Sequence, residues 1–505
     1  MEDKMRADES ILDLKRDVMY EVAKLAFEGE LEEKAEFIPQ KIIPGTIPHW
    51  RCCVYKEREI VRGRVRLALG KAPGPEDNGN VIQVIEAACA DCPISSYVVT
   101  DNCQNCVGKS CVKSCRFDAI HPGKERSVID PNKCKECGMC ARSCPYNAIV
   151  HLKRPCKASC PVNALTYDEN GLSVIDEEKC IRCGQCIHHC PFAAIGSKDA
   201  IVPVIEAIKS DKEVYAVAAP ATEGQFGKGI NMASWKKAMK EVGFTDFIEV
   251  GLGADLTTSA EADEWAEAAE KGEMRTTSCC PGFVNMIVRH YPKLRDAVST
   301  AVSPMCEISR YLKARHQGCV VVFIGPCVAK KSEIVDQQIE GNADYALIYS
   351  EIEAIMRAKD VKLEPVETEY QESSVYGKKY ATSGGVSGSC LEYLKETGKN
   401  SDLKVARVSG GAELKKTLLL AERGKLPEEF IEGMCCEGGC FHGPSSRDDS
   451  PKALHTRKEI LDKADTRSIV ENLEKFDLSG FSRHREQPLY DPLEKEAEAD
   501  EQIQE

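Results

Sequence analysis

Cys134, Cys137, Cys140 and Cys144 stand in C-x2-C-x2-C-x3-C spacing with Pro145 next, and Cys180, Cys183, Cys186 and Cys190 repeat it with Pro191 next. A loop this tight can wrap three thiolates around one iron–sulfur cubane, while the fourth cysteine, on a following turn, points to a second cluster. Thiolates suit iron because they are soft and anionic. Two complete copies argue against structural zinc. The chain carries 27 cysteines in 505 residues. Its opening, MEDKMRADES, has neither an apolar stretch nor twin arginines, so metal binding is expected rather than a disulfide framework.

The repeated run is that of bacterial ferredoxins. The fourth ligands can be sought by the same logic. Cys103, Cys106, Cys111 and Cys115 form a looser C-x2-C-x4-C-x3-C half-motif. Paired with the 134–144 copy, it predicts one [4Fe–4S] cluster on Cys103, Cys106, Cys111 and Cys144 and a second on Cys134, Cys137, Cys140 and Cys115. Cys160 can complete Cys180, Cys183 and Cys186 as a third. Cys156 and Cys190 then lack two partners, and Cys89 and Cys92 have the spacing to make a fourth cluster with them. Three to four accessory clusters are therefore expected. Adjacent Cys52 and Cys53 are poorly placed to ligate one cluster and read as free thiols.

Three further stretches put cysteines in Gly/Pro loops: TSCCPGF (277–283), GPCVAKKSE (325–333) and EGMCCEGGCFHG (432–443). The second follows the apolar run CVVVFIG. In open α/β sheets, ligands gather beyond the carboxyl ends of strands. Thiols converging there could hold another metal centre, although spacing alone does not say which.

These loops need elements to position them. Residues 1–79 read as a helical N-terminal region ending in the turn-rich KAPGPEDNG, and 80–195, with sixteen cysteines, as a ferredoxin-like multi-cluster domain. Residues 196–213 read as a linker helix. From 214 to 455, apolar runs (VYAVAA, DFIEVG, CVVVFIG, YALIYS, VARVSG) alternate with amphipathic segments, predicting α/β. Residues 456–505 read as a helical segment and an acidic, disordered tail. The fold class expected is an α/β catalytic domain of two lobes, preceded by α+β ferredoxin-like domains and a short helical region. The net charge of −14 argues against a nucleic-acid surface. No run of about 18 apolar residues occurs, so no membrane span is expected and the chain reads as cytoplasmic.

The three C-terminal stretches resemble, in order and separation, the three H-cluster signatures of [FeFe]-hydrogenases, and the resemblance covers residues 214–455 together with the ferredoxin-like region. It implies an H-cluster, a [4Fe–4S] cubane bridged to a diiron unit carrying CO, cyanide and azadithiolate. It implies Cys280, Cys327, Cys436 and Cys440 as ligands, with Cys440 the bridge. Lys330 resembles the lysine that donates to a cyanide, Met434 the methionine packed on the diiron site, and Pro220 the proline of the first loop. Splitting H2 releases a proton from a buried site. Cys279, Glu261, Ser299 and Glu264 match the family's proton relay, and Glu261 and Glu264, at i and i+3, share one face of a helix. The implied activity is reversible interconversion of H2 with protons and electrons. Its partners would be ferredoxin or a similar low-potential carrier and dedicated maturation proteins.

Several positions depart from the family's pattern: Gly325, Ala221, Met305, Cys435 and Phe283. They resemble the so-called group B branch and are expected to loosen or alter the surroundings of the metal centre. An H-cluster-binding sensory relative with low turnover is the alternative reading, and the intact relay set argues against it. Cys306, Cys319 and Cys390 read as buried structural thiols. His188, His189 and His442 read as packing residues rather than ligands.

Overall fold

The structure is a computed structural model and describes residues 11–92, 97–336, 339–367 and 371–489. The predicted disordered tail lies outside the described residues.

Seven strands build two parallel sheets: β1 (Val214–Ala218), β2 (Asp246–Glu249), β3 (Arg275–Thr276), β4 (Val320–Ile324), β5 (Tyr345–Leu347), β6 (Val405–Ser409) and β7 (Phe430–Met434). The first sheet runs β2-β1-β4-β5 and the second β3-β7-β6. Every residue of β1, β4 and β7 is buried, as expected of parallel strands covered on both faces. The five predicted strands are all present. DFIEVG stops at Glu249, because Val250 and Gly251 already begin the long helix Val250–Lys271. Strands β3 and β7 were not predicted. β3 is two residues long, and β7 (FIEGM) holds Glu432 and Gly433 where an apolar run would signal a strand.

The linker helix forms at Ile201–Lys209. The N-terminal helix Ile11–Glu28 is no separate body. Its Met19, Ala23 and Ala26 share one apolar core with Val204 and Ile205 of the linker helix and Leu347 of β5. Lys209 Nζ donates to Ala26 O at 3.0 Å across that contact. The helix Val54–Ala68 closes a second core with Val18 and Val22.

The ferredoxin-like units are nested. Ile82–Val84 pairs antiparallel with Ile195–Ser197 and closes an outer unit. Within it, Tyr97–Val99 pairs with Ile149–His151 and closes an inner one, its entry and exit side by side. Each unit has one further hairpin, Ile120–His121 with Val128–Ile129 and Leu165–Tyr167 with Ser173–Ile175. In both full motifs a left-handed glycine, Gly138 (φ 72°) or Gly184 (φ 80°), turns the chain into the one-turn helix that carries the third cysteine. The nesting explains why Cys89 and Cys92 stand so far in sequence from Cys156 and Cys190.

The helix Val250–Lys271 packs against Pro304–Arg315 with almost no clearance at Gly253, where a Cβ would fall 2.2 Å from Pro304 O. Gly253→Ala must force the two helices apart, costing about 1–3 kcal/mol. Gly388, in the helix Gly385–Glu396, has open space around its Cβ position, so Gly388→Ala should instead gain up to about 1 kcal/mol from helix propensity. Thermal melts of the metal-free protein should move in opposite directions for the two variants; equal shifts would refute this packing.

A candidate metal centre between the two sheets

The loops leaving the carboxyl ends of β1, β3, β4 and β7 face one another. β1 delivers Pro220, β3 delivers Cys279 and Cys280, β4 delivers Cys327, and β7 ends on Met434 before Cys436 and Cys440. All of these residues line a single cavity, together with Lys330, Cys435 and Tyr380. Pro281 opens the helix Pro281–His290 at its first turn, where a missing N–H costs nothing. It thereby fixes Cys280 at the rim.

The remaining cavity wall is mostly apolar, and Lys330 is its one cationic lining residue among those described. Lys330 Nζ donates to Ser303 Oγ at 2.8 Å and pairs with Glu333 Oε2 at 2.5 Å. It also reaches Cys279 O at 3.4 Å. Ser303 in turn donates to Glu333 Oε1 at 2.5 Å. Burial would lower the ammonium's pKa, but Glu333 and the nearby thiols outweigh it and raise it. Ser303, Glu333 and Arg457 were not singled out by sequence. Arg457 donates to Pro220 O at 2.5 Å and to Lys378 O at 2.9 Å, pinning the first loop.

Burial pushes the Cys327 thiol to about 11, the Cys440 thiol to about 12 and the Cys436 thiol well above the usual range. Cys280 goes the other way, to about 6, chiefly because the Cys435 thiol donates to its sulfur. Thiols crowded in an apolar cavity cannot all ionise unless cations share their charge, and metal ions invert that balance. Among the described residues no three Cys, His, Asp or Glu side chains converge on a single-ion point. In a cubane each thiolate binds a different iron, so ligands spread around a cavity suit it. The donor set therefore fits a cubane on Cys280, Cys327, Cys436 and Cys440.

The nearest relay loop adjoins this cavity. Cys183 itself lines it. A Cβ on Gly282 would lie 3.0 Å from Cys435 Sγ and 3.5 Å from Cys183 Cβ. Gln185, between Cys183 and Cys186, donates to Cys436 Sγ at 3.7 Å. Cys160, Cys180, Cys183 and Cys186 lie within electrostatic reach of one another. Cys89, Cys92, Cys156 and Cys190 form a second such group, and Cys186 also feels Cys156. In the inner unit Cys134 and Cys115 surround Cys140. Cys103, Cys111 and Cys144 pack on the core of Val99, Ile120 and Ile149, and Cys106 and Cys137 stand on adjoining loops.

On the other side of Cys279, Glu261 is fully buried. It accepts from Ser278 N at 3.1 Å, and among the described residues its Oε2 has no hydrogen-bond partner. Burial, reinforced by Glu264, pushes it to about 8. Glu264 accepts from Thr300 N at 3.0 Å and from the Thr300 hydroxyl. Burial raises it, but hydrogen bonds from His484, Thr300 and Ser299 outweigh that and hold it below the usual carboxylate range. Buried Ser299 lies close enough to stabilise both charged carboxylates.

Of the two expected effects of the departures, loosening or alteration, the packing shows alteration: the Cys435 thiol engages the Cys280 sulfur, and the site stays filled. A Cβ on Gly325 would meet the Phe323 ring at 2.8 Å and Ala219 Cβ at 3.0 Å, so Phe323 already fills the room. Phe283 is fully buried over Gly433, and Ala221 and Met305 are buried in the cavity wall. Cys306, Cys319 and Cys390 are buried, whereas Cys52 is exposed and Cys53 half-exposed. His189 Nδ1 is engaged by Gln185 O at 2.9 Å.

Residues 212–444 match the family described as iron only hydrogenase large subunit, C-terminal domain. Residues 127–150 and 173–196 match 4Fe-4S binding domains. Residues 212–444, just under half of the chain, thus belong to the iron-only hydrogenase family. The chain is 27% identical over 380 residues to iron hydrogenase 1 of Clostridium pasteurianum, covering 65% of this chain and 66% of that protein. It is 26% identical over 299 residues to the periplasmic [Fe] hydrogenase large subunit of Nitratidesulfovibrio vulgaris, covering 48% of this chain and 71% of that one. A solved [FeFe]-hydrogenase of Chlamydomonas reinhardtii aligns with TM-score 0.46 and 20% identity, covering 54% of this chain and 92% of that one. The chain thus spans just under two thirds of the length of the Clostridium relative. Among the described residues no helix is long and apolar enough to cross a membrane.

If every thiol group described here is a cubane site, reconstituted protein should hold about twenty cubane irons, four per [4Fe–4S] cluster. Replacing Cys89 and Cys92 together by serine should remove about four of them. Iron analysis near eight in the parent protein, or no change in the double variant, would contradict the grouping.

Proposed function

We propose that the chain is an [FeFe]-hydrogenase that interconverts H2 with protons and electrons. The observation that carries this reading is the meeting of Cys280, Cys327, Cys436 and Cys440 around one cavity with Lys330, while Cys183 of the relay lines the same wall. The H-cluster's diiron unit, when bound, supplies the splitting of H2. Lys330, anchored by Ser303 and Glu333, offers a fixed cation to the anionic end of that cofactor, while Met434 and Pro220 shape the apolar wall.

The chain's own groups handle the proton. Cys279, kept neutral by burial and by nearby Glu261, carries an S–H that it can pass to Glu261. A carboxyl poised at about 8 is mostly protonated at neutral pH yet gives up its proton readily there. Ser299 bridges to Glu264, which is held ionised as the next acceptor.

Electrons run the other way round the cavity. Gln185 and Cys183 adjoin the ligand loop, so the cluster on Cys160, Cys180, Cys183 and Cys186 is the first relay station. The group on Cys89, Cys92, Cys156 and Cys190 follows, and then the two clusters of the inner unit. That unit carries eight Lys/Arg against five Asp/Glu between residues 97 and 151, in a chain of net charge −14. Lys113, Arg116, Lys124, Lys133 and Lys135 are exposed there. This basic surface suits an acidic, low-potential carrier of the ferredoxin type. A cytoplasmic setting, with maturation proteins at hand, suits a chain that commits twenty of its 27 cysteines to clusters.

Two variants test the reading in the matured protein. Cys440→Ser should lose the CO and cyanide infrared bands while sparing the upstream clusters, because a hydroxyl is a far weaker ligand for soft metal; hydrogen production at the parent rate would sink the assignment. Cys279→Ala should keep the bands but lose about 10²–10⁴-fold of viologen-driven H2 production, since a methyl group carries no proton. Cys279→Asp should recover part of it. Full activity in Cys279→Ala would mean another exit is used.

A further inference from the structure

Glu264 is only partly open to water. Its side chain is only 17% exposed, and one turn further along its helix the chain offers Ala268, which is buried. A group better placed to meet water would complete the relay; on the same helix the exposed carboxylate one turn on, Glu267, is held by Lys271 at 3.7 Å.

That group arrives from the C-terminal segment. Ala301 and His484 form an antiparallel bridge, with Val302 N donating to Arg483 O at 3.0 Å and Arg485 N to Thr300 O at 2.9 Å. The bridge lays the His484 ring on Glu264. Its Nδ1 is 3.1 Å from Glu264 Oε1 and 2.9 Å from Thr300 Oγ1. The side chain is 44% exposed, and among the described residues no hydrogen bond to Nε2 is found. One nitrogen thus faces the relay and the other is free for solvent.

We propose that His484 is the outer port of the proton path, taking a proton from Glu264 at Nδ1 and releasing one from Nε2 to water. This rests on reading Cys279, Glu261, Ser299 and Glu264 as the relay. No electrons move: an O–H bond breaks as an N–H bond forms, and the second N–H gives its proton to a water molecule. The reverse order serves H2 production. Imidazole can do this because its two nitrogens accept and donate in turn and its charge changes within the physiological range.

A purely structural role explains the geometry less well. Backbone pairing already fastens the segment, and Arg310 Nη1 donates to His484 O at 2.9 Å without help from the ring. Neighbouring charges also favour transport. The Arg485 guanidinium is buried against Ser299 O and Val298 O and feels both Glu264 and Glu261. A second cation there helps Glu264 shed the proton it has received. Arg483 is turned away, onto the Ser259 hydroxyl.

The test uses matured holoenzyme carrying His484→Asn or His484→Ala, with His484→Gln in reserve should the alanine variant not fold. The CO and cyanide infrared bands and the thermal midpoint should match the parent. Viologen-driven kcat should fall about tenfold with KM unchanged, less than the usual 10²–10⁴ because water can partly reach Glu264. The response of the infrared bands to a pH jump should slow by the same factor. Added imidazole should restore part of the rate in His484→Ala. Parent kcat in these variants overturns the proposal. So does a loss that imidazole leaves untouched while the thermal midpoint drops, which marks a structural staple. Cys279→Ala, measured alongside, separates the two levels. If it is inactive while the His484 variants are not, only the port is wrong; if it is fully active, the relay reading itself has failed.

Discussion

Cysteines that three loops must bring to one cavity constrain everything around them, because each loop must end at the same point from a different direction. Parallel sheets solve this by collecting their carboxyl ends on one side. Here two sheets are used, and their carboxyl ends face each other across the cavity. Cys327 leaves β4 of one sheet, while Cys280 follows β3 and Cys436 and Cys440 follow β7 of the other. The paired lobes, the long helix Val250–Lys271 between them and the buried strands can all be read as the means of holding those ends at a set distance.

The cavity is also braced by buried ion pairs. Adjacent Lys330 and Lys331 leave the helix Ala329–Asp336 in different directions. One joins Ser303 and Glu333 at the cavity; the other meets Glu351 at 2.6 Å and Lys198 O at 2.7 Å, tying the catalytic lobe to the start of the linker. Lys378 sits between Glu223 at 2.6 Å and Glu249 at 2.9 Å behind the first loop. Buried pairs add little net stability, yet breaking one partner leaves an uncompensated charge and costs several kcal/mol, about 3–5. They fix geometry rather than add stability, which is what a site assembled from distant loops requires.

Much of this was legible in the sequence, for physical reasons. Thiol ligands come in tight local spacings, and covered parallel strands come as unbroken apolar runs, so the cysteine groups and five strands could be read directly. β7 escaped because Glu432 interrupts it; that buried carboxylate is satisfied by Gly384 N and Ser387 N, partners far away in the chain. Ser303, Glu333 and Arg457 escaped for a similar reason. Each is one polar residue whose meaning lies in a neighbour that no local pattern names. The contact of His484 with Glu264 spans 220 positions. That the departures would alter the site rather than loosen it was not legible because volume is shared: Gly325 is small where Phe323 is large, and neither can be judged alone.

The nesting of the two ferredoxin-like units has an evolutionary and practical consequence. The outer unit is wedged against the catalytic loops: a Cβ on Gly184 would meet Val328 at 2.9 Å and Pro444 at 3.0 Å. It cannot be exchanged without remodelling the centre. The inner unit enters at Tyr97 and leaves at His151, which pair directly, so its two ends lie side by side. Elements attached in that way are readily gained, lost or swapped. The Tyr97–His151 pairing is thus a natural splice point, at which the inner cysteine unit can be exchanged while the cavity between the two sheets stays the same.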